Sequence, residues 1–205
     1  MIIIILAVAI AAAYLLINHP TTKLPKSVSI DTTDQPTMGN LDAKVHIVAF
    51  EDLKCHNCMR FSVSLFPTIK KKYIDTGKAK YTMINVAFIN GSMPAANAAR
   101  CLYKQNKKFF FPFIESIYEN QPPESENWAT IPKLIGFANN IKGVDKKKLS
   151  QCIYKSPYTN FINKNLQQAM KIMGGVVATP TVYINGHKVQ PLTIKRIDQM
   201  MKAVS

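Results

Sequence analysis

Between residues 45 and 86 the chain carries a strand pattern, a helix pattern and a second strand pattern, with two cysteines at the first junction. Val45–Phe50 is a six-residue run rich in Val, Ile and Phe, which suits a buried strand. Beyond Cys58 the apolar residues Phe61, Leu65 and Ile69 recur every four positions, the spacing of a helix, with a kink or interruption expected at Pro67. Tyr81–Val86 reads as the next strand. Strand, helix, strand in this order makes a right-handed crossover, and it puts Cys55 and Cys58 at the N-terminal end of the helix.

The remainder of the chain is arranged around that unit. Residues Ile2 to Ile17 are apolar throughout apart from the amphipathic Tyr14, and as a helix they would cover roughly 24 Å at 1.5 Å per residue. Residues 1–17 are therefore expected to be an N-terminal apolar helix, either a membrane anchor or a secretory signal, although no Lys or Arg precedes the run. A buried soluble helix is the plainer alternative, disfavoured by Pro20, Pro25 and Pro36, which mark residues 18–38 as a linker. Anchor and signal alike place the rest of the chain outside the cytoplasm.

The folded domain is expected to begin near Gly39 and to run over residues 39–205. Its middle, about 94–173, is helical, with pieces at Ala95–Lys104, Phe109–Glu119, Ile131–Ile141, Asp145–Tyr154 and Tyr158–Met173. Strand pattern returns at Thr181–Ile184. Asn185 and Gly186 then supply the two positive-φ positions of a tight hairpin, with the return strand beginning at Lys188 and Val189. A last amphipathic helix has Thr193 as its cap and Ile194, Ile197, Met201 and Val204 on one face.

The four residues Cys55-His56-Asn57-Cys58 carry the chemistry. At a helix N-terminus, backbone N–H groups and the positive end of the dipole stabilise a thiolate, so the first cysteine ionises more readily than a free thiol. Cys55 is the expected exposed nucleophile. Cys58, one turn in and more buried, is placed to attack a mixed disulfide on Cys55 and release the partner. His56 adds positive charge beside the thiolate or serves as a solvent-exposed spacer.

Other readings of the pair are weaker. A zinc site needs two further ligands, and Cys101, Cys152, His46, His56 and His187 show no ligand spacing, so no metal is expected. A purely structural disulfide between Cys55 and Cys58 would close too short a loop to restrict the unfolded chain much. Hydrophobic residues make up 47% of the chain and charged ones 19%, a globular composition that needs no metal or disulfide to hold a core. The net charge of +14 comes from lysines in scattered runs, read as solvated surface with some attraction to anionic membranes, and no nucleic-acid partner is expected.

Over roughly Gly39 to Val204 the sequence resembles the DsbA family of thioredoxin-fold proteins. The resemblance rests on Gly39-Asn40 and Asp42-Ala43 leading into a strand, Phe50-Glu51-Asp52 before the two cysteines, an intervening helical region, Val177-Ala178-Thr179-Pro180-Thr181 before a strand, and Asn185-Gly186. It implies an α/β thioredoxin fold with an inserted helical domain, a cis Pro180 facing the cysteines, and a Thr179 backbone that pairs with bound substrate. Familiar members carry proline then histidine between the cysteines, where this chain has His56 then Asn57, and often glycine where it has Ala178.

The resemblance also frames the remaining residues. Some DsbA-like proteins have a second cysteine pair, and an even cysteine total outside the cytoplasm suggests that Cys101 and Cys152 are bonded, with two buried free thiols as the alternative. Glu51 or Asp52 is a candidate proton acceptor for Cys58. Phe109 to Phe111, Phe113 and Tyr118 read as core of the insertion rather than as a peptide groove.

The expected activity is that of a protein disulfide oxidase of the periplasm or another extracytoplasmic space. It needs no cofactor, takes thiol-containing envelope proteins as substrates and is recycled by a membrane quinone-linked partner. The apolar head would hold it beside that partner if uncleaved. A reductase or isomerase with the same residues, and a redox-inert anchored binding module, are the alternatives.

Overall fold

The computed structural model describes residues 23–205, so the apolar run at residues 1–17 lies outside the described residues. Strands β1 (Thr37–Gly39), β2 (Val45–Asp52), β3 (Ala79–Val86), β4 (Thr181–Ile184) and β5 (His187–Lys188) form one sheet in the order β1-β3-β2-β4-β5. β2 and β3 pair in parallel, Val45 with Ala79 through Asp52 with Val86, as a crossover requires. β4 lies antiparallel to β2 with Phe50 opposite Thr181, which brings the start of β4 beside the end of β2.

The crossover helix α1 is continuous from His56 to Ile74 and changes pitch along its length. Ordinary helical turns at His56–Arg60 and Phe66–Ile69 alternate with wide π turns at Phe61–Leu65 and Lys70–Ile74. Pro67 therefore does not interrupt the helix. A proline has no N–H to give and its ring collides with the carbonyl one turn back, and the wide turn ahead of Pro67 accommodates both.

Helices α2 (Met93–Gln105), α3 (Phe110–Glu119), α4 (Ile131–Phe137) and α5 (Lys146–Lys155) follow β3, and α6 (Thr159–Met173) leads back to the sheet. Alternation along β2 explains why both faces are covered: Val45, Ile47 and Ala49 join one core with α1 and the inserted helices, while Val48 and Phe50 join another. That second core is closed by Leu166, Ala169, Ile172 and Met173 of α6. The inserted region is thus shorter than the expected 94–173, because its last helix is a layer of the sheet domain. A final helix α7 (Ile194–Val204) is capped by the Thr193 hydroxyl, which accepts from Arg196 N–H at 3.2 Å.

The described part of the expected linker, 23–38, also differs from expectation. Val28 N–H donates to Gly186 O at 3.0 Å, Pro25 O lies 2.6 Å from His187 Nδ1, and Val28 and Ile30 pack on the second core. Asp34 accepts from the buried Arg100 and from Lys104 of α2. The folded unit consequently begins well before Gly39. Prolines that exclude a helix do not exclude an extended segment whose polar groups pair with the domain.

Candidate active site

The two cysteines sit where β2 turns into α1. Asp52 fixes the turn: its Oδ1 accepts from Lys54 N–H at 2.9 Å, and its Oδ2 accepts from Phe88 N–H, Ile89 N–H and the Ser92 hydroxyl at 3.0, 3.1 and 2.9 Å. Cys55 N–H closes the turn onto Asp52 O at 3.0 Å. Cys55 then stands at the N-cap position with extended backbone, and Cys58 lies one turn inside the helix.

Both cysteines are thiols in this structure, and their surroundings differ. Cys55 is 6% exposed and Cys58 fully buried, so Cys55 is a shallow nucleophile at a mostly covered surface and not the freely exposed one expected. Hydrogen bonding from the Cys58 thiol first, and then from the N–H groups of Cys58 and Asn57, brings the Cys55 pKa down to about 6 against the opposing effect of burial. Burial pushes the Cys58 thiol well above its ordinary range, and proximity to Cys55 and Glu51 adds to this. One sulfur is ready as a thiolate and its neighbour holds its proton.

The loop before β4 closes the site from the other side. The Thr179–Pro180 peptide bond is cis, and the Cys55 thiol donates to Thr179 O at 3.4 Å. The Thr181 hydroxyl donates to Ala178 O at 2.7 Å, which fixes the loop as it enters the strand. His56 and Asn57 are exposed, and His56 N–H donates to Glu124 Oε2 at 2.9 Å, so a carboxylate from the loop after α3 takes one of the helix's free donors.

Glu51 and Asp52, adjacent in sequence, point to opposite faces of the strand and do different things. Asp52 is committed to the turn through the four donors named above. Glu51 is 2% exposed, accepts from Tyr81 Oη at 2.6 Å and from Tyr118 Oη at 3.0 Å, and burial pushes its pKa up to about 7. It borders a cavity of about 420 Å³ between α1 and α3, lined also by Phe61, Phe66, Tyr81, Phe111 and Tyr118.

Cys101 and Cys152 are bonded to one another with a Cα–Cα distance of 6.0 Å, tying α2 to α5 away from the CxxC turn. Among the described residues no group of three or more His, Cys, Asp or Glu side chains is disposed to hold a metal ion. Tyr81, Tyr118 and Glu124 also contribute to the site, and no local pattern in the sequence announces them. The nearest thing to a signal is a Tyr in place of Phe on the apolar face of α3, because a buried phenol needs a partner.

The chain is similar to known proteins. The family model described as thioredoxin matches residues 31–203. A probable disulfide bond formation protein D of Bacillus cereus is 32% identical over 194 residues, 94% of this chain and 86% of the relative. Disulfide bond formation protein D of Bacillus subtilis is 36% identical over 155 residues, 74% of this chain and 68% of the relative. The crystal structure of Chlamydia trachomatis DsbA superposes with a TM-score of 0.78 at 32% identity, covering 87% of this chain and 96% of that one. Oxidised BdbD from Bacillus subtilis gives a TM-score of 0.80 at 28% identity, covering 88% and 97%. With an unequal cysteine pair at the strand-to-helix turn, a cis-Pro loop against it and these relatives along nearly its whole length, the chain belongs to the thioredoxin family, among its DsbA-like disulfide oxidoreductases.

Proposed function

We propose that the chain is an extracytoplasmic dithiol oxidase that passes the Cys55–Cys58 disulfide to thiol-bearing proteins of the cell envelope. The observation that carries this reading is the inequality of the two thiols: a Cys55 held near pKa 6 is a good leaving group, and a buried Cys58 is a poor thiolate. In the oxidised enzyme a substrate thiolate attacks Cys55 Sγ, the bond to Cys58 breaks, and Cys58 leaves and takes up a proton. A second substrate thiolate then attacks the substrate sulfur of the mixed disulfide and expels Cys55 as a thiolate. The substrate loses two electrons and the enzyme gains them.

Glu51 is the proton partner of Cys58 in this scheme, since it is buried beside the pair and ionises near neutrality. Thr179 O, already within reach of Cys55, is the acceptor that a substrate backbone N–H would use. Residues 1–17 serve as signal or anchor, and a quinone-linked membrane protein is the oxidant that restores the disulfide. The export reading is supported by the Cys101–Cys152 bond, since structural disulfides persist mainly in oxidising compartments.

The test is the reduction potential of residues 23–205 in glutathione buffers. A value of about −120 mV is expected of an oxidase, whereas one of about −270 mV would assign the chain to reductive work. Absence of any titrating pair, with partner binding preserved in Cys55→Ser, would leave only a binding module.

A further inference from the structure

The carboxyl of Glu51 is gripped by phenols from two different layers of the fold. Tyr81 belongs to β3, in the sheet, and Tyr118 to α3, in the inserted helices. Each donates to a different carboxyl oxygen, at 2.6 Å to Oε1 and 3.0 Å to Oε2, and Tyr118 Oη is also 3.5 Å from Asp52 O. Glu51, Tyr81 and Tyr118 are 2%, 3% and 2% exposed, so these two phenols are the side-chain donors the carboxyl has in a largely desolvated place. A carboxylate accepts both donors at once. A neutral carboxyl has its own proton to place and must weaken one of them.

We propose that Tyr81 and Tyr118 are positioning residues whose two hydrogen bonds hold the buried Glu51 carboxyl for proton exchange with Cys58. The inference rests on the reading of Glu51 as the proton partner of Cys58. Without the phenols, burial would keep Glu51 protonated at neutral pH, with nowhere to put the Cys58 proton. Other groups facing this carboxyl do not replace them. Cys55 and Cys58 at the start of α1 oppose its ionisation when charged, and Lys70 of α1 and Glu115 and Glu119 of α3 border the same cavity without bonding to this carboxyl. From β1 only the apolar Met38 reaches the cavity, and the Asp52 carboxyl is turned to Phe88, Ile89 and Ser92.

The step affected is the resolution of a mixed disulfide during reoxidation. Cys58 gives its proton to Glu51, and its thiolate attacks Cys55 Sγ. The bond from Cys55 to the partner sulfur breaks, and the partner leaves as a thiolate. The two enzyme cysteines lose two electrons to the partner disulfide, and Glu51 later releases its proton to solvent.

The experiment mixes reduced protein with oxidised glutathione, traps the mixed disulfide by acid quench and follows its decay by mass spectrometry as a function of pH. Decay in the wild type should rise with pH through a midpoint near 7. In Tyr81→Phe and in Tyr118→Phe the midpoint should move up by about one pH unit, so that decay on the acid side is roughly tenfold slower and the alkaline limit is unchanged. The Cys55 thiolate, titrated by ultraviolet absorbance, should not move up, because a Glu51 that stays protonated repels it less, and this separates loss of a donor from general damage to the site.

Glu51→Gln separates the role of the phenols from that of Glu51 itself. Wild-type midpoints in both Phe variants, together with loss of the midpoint in Glu51→Gln, would overturn the proposal and leave Glu51 in its role. A wild-type profile in Glu51→Gln would remove that role. The Glu51 carboxyl titration followed by carbon NMR would then decide the phenols: an upward shift in the Phe variants supports them and an unmoved titration overturns them.

Discussion

The sharpest consequence of the unequal thiols is a break in how the reduction potential depends on pH. Reducing a disulfide to two neutral thiols takes up two protons with two electrons, and the potential then falls by about 59 mV per pH unit; when one thiol stays ionised the fall halves to about 30 mV. Cys55, held near 6 instead of the ordinary 9, moves that change of slope to about pH 6. The sign follows from the reduced state: ionisation of Cys55 stabilises reduced protein as pH rises through 6, and this is lost as pH falls below it. At pH 7 the pair should be more oxidising by about 30 mV, or about 1.4 kcal/mol, than an otherwise equal pair with an ordinary first thiol. Equilibration with glutathione between pH 5 and pH 8 measures the slope directly. Glu51 adds curvature only where its own proton affinity changes between redox states, so the series is repeated in Glu51→Gln. A single slope near 59 mV per unit across the whole range, in both proteins, would refute the claim that this turn stabilises a thiolate.

Three further expectations concern stability. Replacing Cys101 and Cys152 together by Ser opens a cross-link spanning 51 residues in sequence; this should cost about 4 kcal/mol in a urea titration by the chain-entropy relation, and a loss under about 1 kcal/mol would show that the unfolded chain is restricted by other means. Gly186→Ala should destabilise by about 1–3 kcal/mol, because Gly186 has φ +82° and an added Cβ would fall 2.3 Å from Val28 O; unchanged melting would mean that the arm and hairpin shift apart freely. His46, whose ionisation burial and then Lys80 depress to about 4, carries no charge near neutrality. The unfolded chain takes up that proton at about 6.5, so stability should fall as pH drops from about 6.5 to 4, by about 1–2 kcal/mol after allowing for solvent screening. His46→Gln should flatten that part of the pH–stability curve, and an unaltered curve would exclude His46 as its source.

Much of the architecture was legible because local patterns and tertiary demands coincide. The β2 run, the four-residue spacing in α1, the Asn185-Gly186 turn and the Thr193 cap each carry their signal in neighbouring residues. Other features depend on partners distant in the chain. The segment at 23–38 reads as linker because the groups that hold it, Gly186, His187 and Arg100, are far away in sequence. The last helix before β4 has the same periodicity as the inserted ones, and only its contacts with Val48, Phe50 and Tyr183 assign it to the sheet. At the site the cysteine turn announces itself, whereas the phenols on Glu51 arrive from 30 and 67 residues away.

The N-terminal segment runs from the β4–β5 hairpin past α6 to α2, fastened at Pro25 and Val28 to the hairpin, at Asp31 to Gln168 and at Asp34 to Arg100. Tension applied from residue 23 would therefore reach these fastenings one after the other before it reached β1. The one at Val28 is a backbone pair that parts like a zipper tooth, and the one at Asp34 is an ionic clasp around a buried guanidinium stacked 3.9 Å from the Phe161 ring. Beyond them the pull arrives at β1, which among the described residues is the rim strand beside β3, while β2, the strand that leads into the cysteine turn, lies one place further in. A chain held by its head would thus stretch a sacrificial strap first, leaving the cysteine turn undistorted.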